Sequence, residues 1–294
     1  SSLGTIRWHM DETAFTSDYT SIYGGTNELW GGSFSSSDLR FIADGTDSHK
    51  MTIRFMGGEY AAGVSVSREA AAEVYPIFVA DTVSTFKRVF KASTTWGMNV
   101  QVQKGADVVF EKGLQKVSSN TRVPFKLAGG NTLTFNGPIQ VADDGMNVPG
   151  AFLCQSSDPN DTCVVVLNAA TNYFSQVTKG TGNLSGLVLQ GNVVLKTQVE
   201  DAFAAEPYPV QLWLQDKGSL GGVIDLCGHN QHVGSLLQFN KDGIAQDGEW
   251  VGGHSGFRSE EPATVYVCQN ATGSSYFTNV TWPGRFWGRA SLEK

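Results

Sequence analysis

Glycine, asparagine and aspartate cut this chain at intervals too short for helices to grow between them. Apolar or β-branched runs of three to six residues recur along it. Examples are Met51-Thr-Ile-Arg-Phe-Met56, Val100-Gln-Val102, Val108-Val-Phe110, Thr132-Leu-Thr-Phe135, Val164-Val-Val-Leu167, Leu187-Val-Leu189, Val193-Val-Leu195, Val223-Ile-Asp-Leu226 and Thr264-Val-Tyr-Val267. Strands this short, each closed by a turn residue, define an all-β chain. The helix candidate is 81–92. There Val83, Phe86, Val89 and Phe90 lie at helical spacing behind Asp81 as an N-cap, and the same residues also fit a bent pair of strands. Ser67–Val74 reads as a short helical turn ended by Pro76.

The runs repeat. Gly-framed pairs of short strands appear at Lys104–Leu114, Gly129–Ile139, Gly186–Leu195 and Gly218–Gly228. A period of roughly 20–30 residues built of several short strands is the signature of a β-solenoid. One coil cannot bury its own interior, so each must stack on the next, strand over strand at about 4.8 Å. Residues 1–294 read as a single β-solenoid domain, a segment of a longer protein. Leu187, Leu189, Val193, Leu195, Val223, Leu226, Val233 and Leu236 are expected to line its interior.

Composition agrees with this architecture. Charged residues make up 17% of the 294 and there are 34 Gly, while 17 Phe, 8 Tyr and 7 Trp are too many apolar anchors for a disordered chain. Net charge is −7. A surface of that sign opposes nucleic acid and anionic membranes as partners. No run approaches the roughly 18 apolar residues of a spanning helix.

The segment Gly218–Leu236 carries a resemblance. Val223-Ile-Asp-Leu226, Gly228, Asn230-Gln231 and Val233-Gly-Ser-Leu236 look like the repeat of autotransporter-type bacterial surface proteins, with Cys227 in the place of the usual Asn and His232 in that of the usual Thr. The resemblance implies a right-handed parallel β-helix, exported and displayed at the cell surface. The β-barrel translocator of true autotransporters has no counterpart in this chain.

Four cysteines lack any Cys-x-x-Cys spacing. Cys154 and Cys163 bracket a polar loop and are expected to form a disulfide in an oxidising, extracellular compartment, the alternative being two small buried thiols. The sequons at Asn160, Asn183, Asn270 and Asn279 are about as many as chance supplies in so Ser- and Thr-rich a chain. His229 and His232 fall near a turn without a third ligand at metal spacing, and read as surface residues. The loops at Asp158–Thr162, Asn240–Gly243 and Asp44–Asp47 offer oxygen ligands for Ca2+ but none has a full calcium-loop spacing, so Asx turns are the plainer reading. Asp143-Asp144 and Glu260-Glu261 are loop charges, since adjacent strand residues point to opposite faces. No nucleophile elbow, P-loop or dinucleotide fingerprint occurs.

The aromatic and basic residues near the C-terminus are the best candidates for recognition. Trp282, Arg285, Trp287 and Arg289 cluster, with Trp250 and Arg258 about thirty residues earlier. Trp faces stack on sugar rings and Arg beside them reads hydroxyls or carboxylates. The same residues would serve as a plug over the solenoid end. Two functions follow: an extracellular structural or adhesive module that binds a glycan or other surface polymer, or copies of itself; or a polysaccharide-active enzyme or carbohydrate-binding module on the same scaffold. A polar cleft holding three or more ionisable groups from neighbouring coils would favour the second.

Overall fold

A computed structural model describes residues 5–9, 19–23, 25–32, 38–43, 51–68, 74–94, 100–116, 123–140, 151–156, 158–172, 174, 186–203, 210–217, 219–233, 235–237, 254–267 and 285–293. Among these the chain is all-β, with no helix. It is a β-solenoid of three sheets, A, B and C, whose strands pair in parallel apart from Gln211–Lys217 with Leu220–Gly221. Each full winding contributes one strand to each sheet in the order A, C, B. Met51–Phe55, Gly58–Tyr60 and Gly63–Arg68 make one winding; Val74–Phe78, Val83–Phe86 and Phe90–Thr94 make the next. Two more follow the same scheme, ending with Thr132–Phe135 on sheet C and Ile139–Gln140 on sheet B. Successive windings are offset by as few as 19 residues (Tyr19 to Asp38) and as many as 35 (Phe152 to Leu187).

The solenoid forms because every strand hides one side. Met51–Phe55 and Cys163–Leu167 alternate buried and half-buried residues throughout, the period of a strand with one dry face. Aromatic rings fill the axis. On sheet C, Tyr60 stacks on Phe86 at 4.9 Å, Phe86 on Phe110 at 5.5 Å and Phe110 on Phe135 at 4.8 Å. Phe55 stacks on Phe78 at 5.0 Å on sheet A. Equal ring positions in consecutive strands produce such stacks directly, because parallel in-register pairing repeats each side chain one strand spacing above the last. Of the eight residues expected inside, Leu187, Leu189, Val193, Leu195, Leu226 and Val233 are fully buried. Val223 is a correction: it is half-buried and on the outer face, because Ile224 is the strand's inward residue. The side chain of Leu236 lies outside the described residues.

The helix considered over 81–92 is likewise corrected. Val83–Phe86 and Phe90–Thr94 are strands, separated by a corner at Lys87–Val89. Asp81 is in the left-handed region, φ 54°, and its N–H donates to the Lys104 carbonyl of the next winding. Pairing with Asp107–Phe110 then turns Ser84 and Phe86 inward. Long-range pairing thus satisfies the backbone groups that a helix would have satisfied locally. The expected helical turn at Ser67–Val74 is not seen at its ends: Ser67 lies within the strand Gly63–Arg68 and Val74 opens the next, with 69–73 outside the described residues.

Buried amides take over where the strand ladder stops. Asn131 donates through Nδ2 to the Gln103 and Ala106 carbonyls and accepts from the Gly129 N–H. Beyond Ile139, Asn172 Oδ1 accepts the Ile139 N–H while its Nδ2 donates to the Ala169 and Ala202 carbonyls. Gln231 repeats the device one winding later, accepting from the Ala202 N–H and donating to the Val199 carbonyl. Without these side chains the corner backbone would be buried and unpaired, at about 1–3 kcal/mol per group.

Candidate functional site

The polar residues converge at the C-terminal end of sheet C. Parallel pairing sets Lys196 beside Asp225, Asp225 beside Arg258 and Arg258 beside Trp287, one outward column across four strands. Arg258 Nε donates to Asp225 Oδ2 at 2.9 Å. Two residues singled out by the sequence, Arg258 and Trp287, are therefore neighbours about one strand spacing apart. Arg285 stands in the adjacent column, paired with Gly256. A Cβ on Gly256 would meet the Arg285 carbonyl oxygen at 2.0 Å, so glycine is required for the last strand to close down here. Arg289 reaches Glu261 at 3.6 Å. Trp250 and Trp282 lie outside the described residues.

A second group adjoins this column at the corner after it. His232 Nδ1 is 2.7 Å from Asp201 Oδ1, and the His232 backbone N–H donates to the same oxygen. His229 Nδ1 is 3.8 Å from Glu200 Oε1. Tyr266 of the next strand stacks on the His232 ring at 4.7 Å. Both histidines are partly exposed; His229 lies in the corner, while His232 lies in the strand Gln231–Val233 that follows it, and each faces a carboxylate of the winding before it. Among the described residues no three His, Cys, Asp or Glu side chains gather as a metal set.

Cys227 sits between the two groups in the left-handed region, φ 49°. Its N–H donates to Asp225 Oδ1, and its thiol lies 3.4 Å from the same atom. Burial first, and the Asp225 charge second, push this thiol up to about 11. It is held protonated and is a poor nucleophile.

The expected Cys154–Cys163 disulfide is not formed; both residues are free thiols. They occupy interior positions on different sheets, with Phe125 below Cys154 and Leu189 above it. Cys163 Sγ lies 3.6 Å from the buried Asn131 Oδ1. Burial, with the neighbouring Cys163 thiol as the smaller cause, raises Cys154 far above an ordinary thiol. Each cysteine fills the place of a small apolar residue. Cys268 lies outside the described residues.

The loop Asp158–Thr162 is an Asx turn whose cation is a lysine. Asp158 Oδ1 accepts the N–H groups of Asn160 and Asp161. Lys104 Nζ lies 3.6 Å from Asp158 and 2.5 Å from Asp161. The two backbone donors, and then Lys104, hold the Asp158 carboxyl below its usual value. The other two loops weighed for calcium, at 44–47 and 240–243, lie outside the described residues, as do Asp143 and Asp144.

Lys196, Asp225, Asp201 and Tyr266 did not stand out in the sequence. Their only signal is spacing: 29 residues from Lys196 to Asp225, 33 to Arg258 and 29 to Trp287. Comparison of the chain with family models, with curated proteins and with solved structures found no match.

Proposed function

We propose that this chain is a non-catalytic β-solenoid module of an extracellular or cell-surface protein, of the autotransporter-like kind that the Gly218–Leu236 repeat resembles. It acts through its long faces, on a glycan or other surface polymer and on copies of itself. The observation that carries the reading is the column Lys196, Asp225, Arg258, Trp287. An indole beside a guanidinium offers a stacking surface and a planar hydrogen-bond fork to a sugar ring. The ionisable groups around it already have partners: Asp225 with Arg258, Glu261 with Arg289, Asp201 with His232 and Glu200 with His229. Groups neutralised in pairs on an open face suit weak, repeated contacts more than a reaction that needs a free acid and base.

The test is a glycan panel read with the whole chain and with Trp287→Ala, Trp282→Ala and Arg258→Ala. Loss of about tenfold in affinity in Trp287→Ala is expected, the scale of one aromatic stacking contact. Unchanged binding in all three variants would remove this patch.

One observation favours the second reading, a polysaccharide-active enzyme. Asp201 orients His232 through Nδ1, the arrangement that readies an imidazole for proton transfer. Turnover of a polysaccharide that falls at least a hundredfold in His232→Gln and Asp201→Asn would establish it and overturn the non-catalytic reading.

A further inference from the structure

The middle of sheet C presents an outward face that the column near the C-terminus does not use. Its central rungs carry Val109, Thr132, Thr134, Val164 and Val166, all half-exposed, and Val83 below them is 54% exposed. The register runs without a break from Glu59 to Trp287. Charge divides the face in two. The N-terminal half carries Asp107 and Glu59, the latter paired with Lys87 at 2.9 Å; the C-terminal half carries Lys196 and Arg285, with Arg258 and Asp225 paired to each other, so Asp107 on one side and Lys196 and Arg285 on the other set the balance. The halves have opposite sign, and the β-branched rungs lie between them.

We propose that two copies of this chain pair face to face through sheet C, with their long axes antiparallel. The twofold axis runs along the strands, between Thr132–Phe135 and Cys163–Leu167. This inference deepens the self-association part of the proposed function and rests on it. Such an axis reverses the order of the strands and keeps their direction. It sets Thr134 over Val166 of the second copy, places Asp107 one column away from Lys196 and sets Glu59 over Arg258. Trp287 then comes over the strand end at Gly31 and Gly32, where Gly32 bridges Tyr60. The largest side chain of the column meets a position with no side chain. A parallel pairing would set like charges over like.

Two sheets stacked face to face pack about 10 Å apart, which suits this contact. Nine strands at about 4.8 Å, each about four residues wide, cover about 500 Å² per copy. The total of about 1,000 Å² is at the lower limit for a specific interface, so the dimer is a weak one, in the micromolar range.

Sedimentation equilibrium of the whole chain over the micromolar range tests this, with near-UV circular dichroism to confirm that each variant is folded. Glu59→Arg and Arg258→Glu each place two like-charge contacts in the symmetric dimer, and each is expected to weaken it about tenfold. An equimolar mixture of the two variants restores both contacts and should pair with wild-type affinity. Val166→Arg at the centre should abolish pairing. Pairing that is insensitive to these variants, or a mixture no stronger than either variant alone, would overturn this face while leaving self-association standing. A chain that stays monomeric throughout would overturn the self-association reading itself.

Discussion

Removing one ring from the aromatic stack should cost more than an ordinary core truncation. Phe110 is fully buried. It stacks on Phe86 and Phe135, at 5.5 and 4.8 Å, and meets the edges of Phe90 at 5.6 Å and Phe125 at 6.4 Å. A buried Phe→Ala change costs about 3–5 kcal/mol. Each aromatic pair adds about 0.5–1.5 kcal/mol beyond the area it buries. With two stacked and two edge partners lost at once, Phe110→Ala belongs at the upper end, about 5 kcal/mol. The rungs above and below cannot close over the gap, because their backbones are pinned by the ladder. Stacked windings interact mainly with their neighbours, so a single melting temperature would understate a local loss. Hydrogen exchange is the right assay. Amides of Asp107–Phe110 and Thr132–Phe135 should lose protection, while those of Val193–Thr197 should keep theirs. A double-mutant cycle with Phe135→Ala should give a coupling of about 1 kcal/mol. A local loss below about 1.5 kcal/mol, or strict additivity in the cycle, would refute the ring stack as the source of stability here.

Replacing Cys227 by Asn should stabilise the chain by about 0.5–1 kcal/mol, measured by urea denaturation, since Asn adopts the left-handed region at lower cost. At pH 8 the Cys227 thiol, raised to about 11, should react with iodoacetamide about a hundredfold more slowly than a free thiol of ordinary pKa. Asp225→Asn should speed that reaction. The depressed Asp158 carboxyl contributes stability above its unfolded value of about 4, and that contribution is lost as pH falls through the lower folded value. Acid titration followed by circular dichroism should therefore show a shallower loss below about pH 4 in Asp158→Asn than in the wild type. The Lys104 ammonium, whose value the Asp161 and Asp158 carboxylates raise, acts in the opposite direction: its contribution is complete below the unfolded value of about 10.4 and is lost as pH rises through the folded one.

Turn residues at short intervals and alternating apolar runs carried the solenoid in the sequence, because strand period and strand length are local properties. The buried side was legible for the same reason: Leu187, Leu189 and Leu195 alternate or cluster as inward residues must. Where two local patterns coincide, the sequence left the choice open. Val83, Phe86, Val89 and Phe90 satisfy a helix and a pair of strands alike, and only Asp107–Phe110, lying alongside, decided for strands. Val223 shows the complementary limit, since a one-residue difference in phase places a valine on the outer face. The candidate site was half legible. Arg258 and Trp287 stood out as types, but not as neighbours, and Lys196 and Asp225 did not stand out at all. Their column depends on offsets between windings that vary from 19 to 35 residues with the length of each corner. Corner length has no fixed period, so no repeat read along the chain predicts which residues share a column. The cysteines followed the same logic: nearness along the chain suggested a bridge, while the sheets that receive them turned both thiols into the core. Backbone pairing between windings decided these points, because a parallel ladder fixes every side chain's neighbours at once and that pairing exists only in the folded chain.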